Sequence, residues 1–197
     1  MEASQDSQRQ IELETRNGLS QFDETIKFID RMDKSLAITP EIIKLLHEKA
    51  MDGLRPDAGS YRTFQVKIRG SNHKPPPHDT VAGLVEQMCD DANTNEWDSI
   101  KTSAFLLWRL NWIHPFGDGN GRTSRVISYL ALCVRLGKKL PGKPTIPEQL
   151  TLDRNAYYVA LADADAAWRQ SVLDVGKLEM LLQICLEKQL SYLDDQA

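Results

Sequence analysis

"HPFGDGNGRTSR", residues 114–125, places one histidine, one aspartate, three glycines and two arginines between the apolar stretches 99–113 and 126–136. Turn chemistry accounts for the Gly, Asp and Asn residues. It does not account for the arginines. The glycines let the backbone take positive φ and approach a ligand closely. A helix that begins directly after them turns its unpaired N–H groups and positive dipole end into the loop, which makes an anion site. Arg122 and Arg125 fall three apart, on one face of the first helical turn. Exposed cations there oppose the dipole by about 0.3–1 kcal/mol each, a cost that a multiply charged anion removes, so the pattern predicts a polyphosphate site. Asp118 would repel such an anion unless a hard cation such as Mg²⁺ bridges the two. His114 is the group suited to act as a neutral base near pH 7. The loop lacks the Lys-Ser/Thr pair of a P-loop. An EF-hand begun at Asp118 would need oxygen ligands at 122 and 129, where Arg122 and Tyr129 stand.

Working outward, "SIKTSAFLLWRLNWIH" (99–114) predicts a helix buried on most sides, stopped at His114 because Pro115 disfavours helical geometry in its predecessor. A second buried helix follows the loop and closes at Gly137. Ile11, Leu19, Phe22, Ile26 and Ile29 predict a first amphipathic helix with those residues on its core face. "TPEIIKLLHEKAMDG" (39–53) predicts a helix with Thr39 as N-cap, Pro40 at its first position and Gly53 just past its end. Within it His47 reads as a solvated or partly buried helix residue. The alternation of Phe64, Val66 and Ile68 with Gln65, Lys67 and Arg69 predicts a short hairpin, and "PPP" at 75–77 forbids helix. Helix resumes at 79–88 with Asp79 as cap, and two more are predicted over 152–168 and 175–193. The fold class is mainly α with one short β-hairpin.

The chain has 197 residues, 41% hydrophobic and 26% charged, the balance of a globular domain. A net charge of −4 gives no support for nucleic acid or an anionic membrane as a partner. The polar start reads as no secretory signal, and no apolar run is long enough to span a membrane. Cys89, Cys133 and Cys185 are widely spaced within apolar helical patterns, so they read as buried thiols in a reducing compartment. The expected location is cytoplasmic, including delivery into another cell's cytosol.

The 114–125 stretch resembles the signature of the Fic family, His-x-Phe-x-Asp/Glu-Gly-Asn-Gly-Arg-x-x-Arg, at every fixed position. "GSYRTFQVKIRG" (59–70) with "HKPPPHDTV" (73–81) is similar to the family's flap hairpin and its Pro-rich exit, and "NAYYVAL" (155–161) to its downstream Tyr-Tyr segment. The likeness covers about residues 38–190, which would form the Fic domain behind an N-terminal helical segment, 1–37. It implies a Fic-type helical bundle with a short β-hairpin flap beside the active-site loop. It also implies a protein adenylyltransferase: His114 deprotonates a target Tyr, Ser or Thr hydroxyl that attacks the α-phosphate of ATP. By the same likeness Phe116 anchors the loop, Asp118 holds Mg²⁺, and Gly119, Asn120 and Gly121 cradle phosphates through backbone amides. Arg122 and Arg125 bind the β- and γ-phosphates, with Thr123 and Ser124 between them in the nucleotide site. Tyr157, Tyr158, Leu161 and Asp165 lie near the adenine or ribose. The target protein lies along the flap near 61–73 by strand addition.

The family's inhibitory Ser/Thr-x-x-x-Glu-Gly/Asn sequence has no full match here. The nearest is "SQFDET" (20–25), so inhibition would come from a separate protein or an upstream segment, or be lacking. Phosphotransfer, UMP transfer and a non-catalytic binding module are the competing functions.

Overall fold

The computed structural model describes residues 2–31 and 36–191; residues 1 and 32–35 of the expected N-terminal segment, and 192–193 of the last expected helix, lie outside them. The elements are α1 (Glu2–Arg31), α2 (Pro40–Met51), a 3-10 turn (His78–Thr80), α3 (Val81–Thr94), α4 (Ser99–Ile113), α5 (Asn120–Leu136), α6 (Ile146–Leu152), α7 (Arg154–Trp168) and α8 (Gly176–Ser191). α4 and α5 pack tightly against each other at the centre. Residues 102–110 of α4 are all buried, and Ser128 Oγ donates to the Ser103 carbonyl across the pair at 2.9 Å. α3, α7 and α8 cover α4, α1 and α2 cover α5, and α6 bridges α5 and α8.

The helix ends are set locally, as expected for most of them. Thr39 Oγ1 accepts from Ile42 N at the start of α2, and Asp98 accepts from Lys101 N at the start of α4. α5 closes with Gly137 at φ 67°. There Gly137 N donates to Val134 O and Lys138 N to Cys133 O, the paired bonds of a Schellman end. At α3 the expectation fails: Asp79 sits inside the 3-10 turn, and Thr80 occupies the cap position with its hydroxyl donating back to Pro77 O rather than capping the helix. α6 was not anticipated, although its signal is in the sequence: Thr145 and Glu148 form a reciprocal capping box around Pro147.

The core face of α1 follows its apolar pattern only in part: Ile29 is buried and Phe22 and Ile26 pack against the core. Ile11 and Leu19 are 59% and 64% exposed, whereas Asn17, Gln21 and Thr25 are buried beside Ile29. Thr25 Oγ1 donates to Gln21 O within α1, and the two amide side chains serve α2. Asn17 Nδ2 donates to Asp52 O at 2.7 Å and Ala50 O at 3.4 Å, and Gln21 Nε2 to Leu46 O at 3.0 Å. They satisfy carbonyls near the C-terminal end of α2 that would otherwise be buried with free acceptor capacity.

The expected hairpin is not found: no strand occurs among the described residues. Residues 61–73 make an irregular excursion with a turn at Gly70 (φ 77°). Val66 and Ile68 are half-buried between exposed Gln65, Lys67 and Arg69, but Phe64, expected on the same face, is 47% exposed, so the alternation holds only over 65–69. The two limbs, however, are joined by side chains rather than a backbone ladder. Gln65 Nε2 donates to Pro75 O at 2.8 Å, and Pro75, Pro76 and Pro77 have no N–H to offer a ladder.

The Asn17→Ala variant is expected to lose about 1–3 kcal/mol of unfolding free energy in urea titration, because it strands a carbonyl acceptor. Leu19→Ala is expected to stay within about 0.5 kcal/mol.

Candidate active site

α4 ends and α5 begins within the loop that starts at His114. His114 caps α4 in the left-handed region, φ 51° and ψ 58°, a conformation that costs a non-glycine residue energy and must be held by its surroundings. Its Nδ1 lies 3.2 Å from the Asn111 carbonyl. A carbonyl only accepts, so Nδ1 carries the proton and Nε2 keeps its lone pair. Burial lowers the imidazole pKa from 6.5 to about 4; the bond to Asn111 and the charge of Asp118 oppose this, and Arg62 and His73 reinforce it. The ring is a neutral base across the physiological range.

Phe116 is fully buried. Its backbone N–H and C=O are both taken by the Asn120 side-chain amide, each at 2.9 Å, which closes the loop on itself. The Asn120 side chain is therefore committed internally, and its backbone N–H is the part available to a ligand. Gly119 precedes α5 with φ 76° and no side-chain cap. The first intrahelical bond is Thr123 N to Gly119 O, so the N–H groups of Asn120, Gly121 and Arg122 carry no bond within the helix. A Cβ on Gly119 would lie 2.6 Å from Met51 Sδ and 3.2 Å from His47 Nε2, so space and φ both demand glycine there.

His47, read from sequence as an ordinary helix residue, is a buried strut of the site. Its ring stacks on Phe116 at 3.6 Å between centroids and 4° between planes. Gly59 N donates to His47 Nδ1 at 2.9 Å, and Nε2 faces Asp118 O at 2.9 Å. Nδ1 must therefore be unprotonated and Nε2–H the donor, which fixes the neutral tautomer; burial lowers this imidazole's pKa as well. The usable signal was its place among the core residues Ile43, Leu46 and Ala50 of α2.

Two arginines stand over the open N-terminus of α5. Arg125 is half-buried and forms no ion pair among the described residues. Its Nη1 lies so close over Gly121 that a Cβ there would sit 3.3 Å from it. Burial pushes its pKa down. Arg122 Nη2 donates to Glu14 Oε2 of α1 at 2.9 Å. Asp118 is exposed, with Oδ1 accepting from Gly119 N at 2.7 Å. Asp118, Arg122, Arg55, Arg9, Glu14 and Met51 line one cavity of about 410 Å³.

The sequence profile of the Fic/DOC family matches residues 37–132. The chain is 34% identical over 122 residues to "Protein adenylyltransferase Fic" of Nematostella vectensis, covering 59% of this chain and 28% of that protein. It is 30% identical over 183 residues to the protein of the same name in Drosophila willistoni, covering 90% of this chain and 34% of that one. A crystal structure of a Fic family protein from Desulfovibrio desulfuricans superposes with TM-score 0.68 at 23% identity, covering 91% of this chain and 53% of that one. Residues 37–132, just under half of the chain, thus carry the sequence pattern of the Fic/DOC family. The chain spans about a third of the length of these curated relatives.

The loop and the first turn and a half of α5 carry His114, Asp118, the free α5 amides, Arg122 and Arg125; Asp118 and Arg122 line the cavity, whereas His114 and Arg125 do not. The remaining expected nucleotide residues sit differently from one another. Thr123 and Ser124 are fully buried, their hydroxyls donating to Gly119 O and Gly121 O. Tyr157 is buried with its hydroxyl taking a bond from Asn111 Nδ2 at 2.8 Å, while Tyr158 is 55% exposed beside it. Asp165 Oδ1 accepts from Trp108 Nε1 at 2.8 Å, and Oδ2 lies 3.8 Å from His73 Nδ1. Leu161 is half-buried against the core. Of these side chains, Tyr158 is the one left open to a ligand. Glu24 of the 20–25 segment pairs with Lys27 at 2.9 Å. No helix among the described residues is long and apolar enough to cross a membrane.

Two outcomes are expected. The His114 ring followed by NMR titrates near pH 4 rather than 6.5. Over that window stability falls as pH falls, because the unfolded chain takes up a proton that the folded one refuses. Gly119→Ala is expected to lower the melting temperature, because its Cβ would meet Met51 and His47. Gly121→Ala, which meets only the mobile end of Arg125, leaves the melting temperature nearly unchanged.

Proposed function

We propose that this domain transfers AMP from ATP to a hydroxyl of a target protein, releasing pyrophosphate. The observation that carries the reading is Arg125: a desolvated, unpaired guanidinium held against the positive end of α5. Two like partial charges are kept together there without a counter-ion, an arrangement that a polyphosphate relieves. The relatives' name, protein adenylyltransferase, supports the choice of ATP and of AMP as the group moved. Nε2 of His114 takes the hydroxyl proton as the hydroxyl oxygen bonds the α-phosphorus. The bond from that phosphorus to the bridging oxygen breaks, and pyrophosphate leaves with the electron pair. Arg122, Arg125 and the amides of residues 120–122 meet the charge of the leaving group.

Mg²⁺ fits the residues present. Among the described residues no cluster of three metal-binding side chains exists, but this ion commonly needs one or two carboxylates plus phosphate oxygens. Asp118 is an exposed carboxylate beside the phosphate cradle. When bound, the ion would neutralise phosphate charge. We read residues 38–190 as the catalytic unit, α1 as a brace laid across it, and the 61–73 excursion as the surface that receives the target. The three buried free thiols fit a reducing compartment such as the cytoplasm.

The expected result with ATP labelled on either phosphate is incorporation from α-label and none from γ-label, with loss of incorporation and retention of ATP binding in His114→Ala. Label from γ-ATP alone overturns the reading in favour of phosphotransfer. Glu14 is a competitor for Arg122, but the pair is more than a third exposed on its carboxylate side, which limits it to about 0–1 kcal/mol. Glu14→Ala is therefore expected to tighten ATP binding by at most about fivefold in calorimetry.

A further inference from the structure

Arg62 is 2% exposed and forms no ion pair among the described residues. Its guanidinium is instead surrounded by carbonyls of two elements far apart in the chain. Nε donates to His114 O at 2.8 Å, and Nη2 to Pro76 O at 2.6 Å and, more weakly, Ile113 O at 3.4 Å. Nη1 donates to Phe64 O at 3.2 Å. Its backbone N–H also donates to Pro115 O at 2.9 Å. Ile113 and His114 are the carbonyl end of α4, where a cation is favoured. The left-handed turn at His114 directs the latter carbonyl away from the helix and into the fork. Phe64 and Pro76 belong to the outgoing and returning limbs of the flap.

We propose that Arg62 is a positioning residue that fastens both limbs of the flap to the backbone of the catalytic histidine. It thereby sets where a target hydroxyl is presented to His114 Nε2. This rests on reading His114 as the base and residues 61–73 as the target surface. The missing ladder makes such a tether necessary: a flap without strand pairing has no other bond from Phe64 to the α4 end among those the structure shows. The planar, multiply donating fork is what the role requires, since a lysine ammonium on a flexible stem cannot hold four carbonyls in two directions. Apart from the Arg62 backbone bond to Pro115 O, the flap is joined to this end of α4 farther along, where His73 Nε2 meets Trp112 O at 2.8 Å.

Two substitutions separate tether from charge. Arg62→Lys keeps the charge and loses the fork; Arg62→Gln loses both. The groups whose charge bears on His114 are Arg62, His73 and Asp118, so the His114 titration is expected to stay low in the lysine variant and to rise in the glutamine variant. In Arg62→Lys, self-modification from α-labelled ATP is expected to fall about 100-fold, the scale of a small misplacement at a reacting centre. ATP affinity is expected to stay within about twofold, and amide exchange across 61–77 to quicken. Wild-type rate and exchange in Arg62→Lys overturn the proposal. So does a loss of ATP affinity in step with activity, which marks general unfolding. Absence of AMP transfer in the unsubstituted protein counts against the functional reading instead, and flap exchange in Arg62→Lys then decides the tether alone.

Discussion

Between Ile113 and Asn120 one helix must end and another begin, so a set of unpaired carbonyls and a set of unpaired amides meet in a single short loop. The protein treats the two sets differently. The carbonyl end of α4 is closed from within by Arg62 and by the Nδ1–H of His114. The amide end of α5 has no side-chain cap and no acidic residue in its first turn. It is covered by cations instead. A fold seeking only stability would place Asp, Ser or Thr at such an N-terminus, worth about 1 kcal/mol. The asymmetry is what turns a connection between helices into a site for an anion.

The same asymmetry governs His114. Its ring stands at the closed end, half-buried, where desolvation first and the Arg62 guanidinium after it disfavour a second proton. A base held that low is available but weak. The anion that fills the open end brings several negative charges toward it, and these raise the proton affinity of a nearby imidazole. Under the proposed function, arrival of the polyphosphate therefore strengthens His114 as a base, and the histidine remains unprotonated while the site is empty. Its Nδ1 proton is fixed by the Asn111 carbonyl throughout, so the reactive nitrogen does not change.

Much of this was legible in the chain itself. The Gly-Asp-Asn-Arg pattern located the loop, and the flanking apolar runs with Pro115 and Gly137 located α4 and α5 with their ends, because these signals act within a few residues. The functions of Asn17, Gln21, His47, Arg62 and Glu14 were not legible. Each acts through a bond to a residue 25 to 108 positions away, which nothing within one helix turn reports, although the apolar neighbours of His47 in α2 do signal its burial. α1 misled in part for the same reason: beside its apolar Phe22, Ile26 and Ile29 the buried stripe holds Asn17 and Gln21, which satisfy α2, and an apolar moment cannot register that. The flap misled in the opposite sense. Its alternation held for Val66 and Ile68 but not for Phe64, and alternation describes which side chains face inward and not whether a second limb supplies hydrogen bonds.

The loop's shape is consequently not a property of its twelve residues. Gly119 fits because Met51 and His47 of α2 leave room for a hydrogen and nothing larger. Asp118 is held by its carbonyl from His47 Nε2, which is itself oriented by Gly59 N. Phe116 is clamped between the His47 ring and Tyr61. α2 therefore fixes the height of the loop from below, and Arg62 fixes its relation to the flap from above. The α1 side chains that cap α2 enter the same chain of support, since a shift of the α2 end moves Met51 and with it the one wall that Gly119 touches most closely. Residues with no contact to any substrate thus set the positions of those that have one, at distances where a displacement of less than an ångström is felt by a tightly packed neighbour.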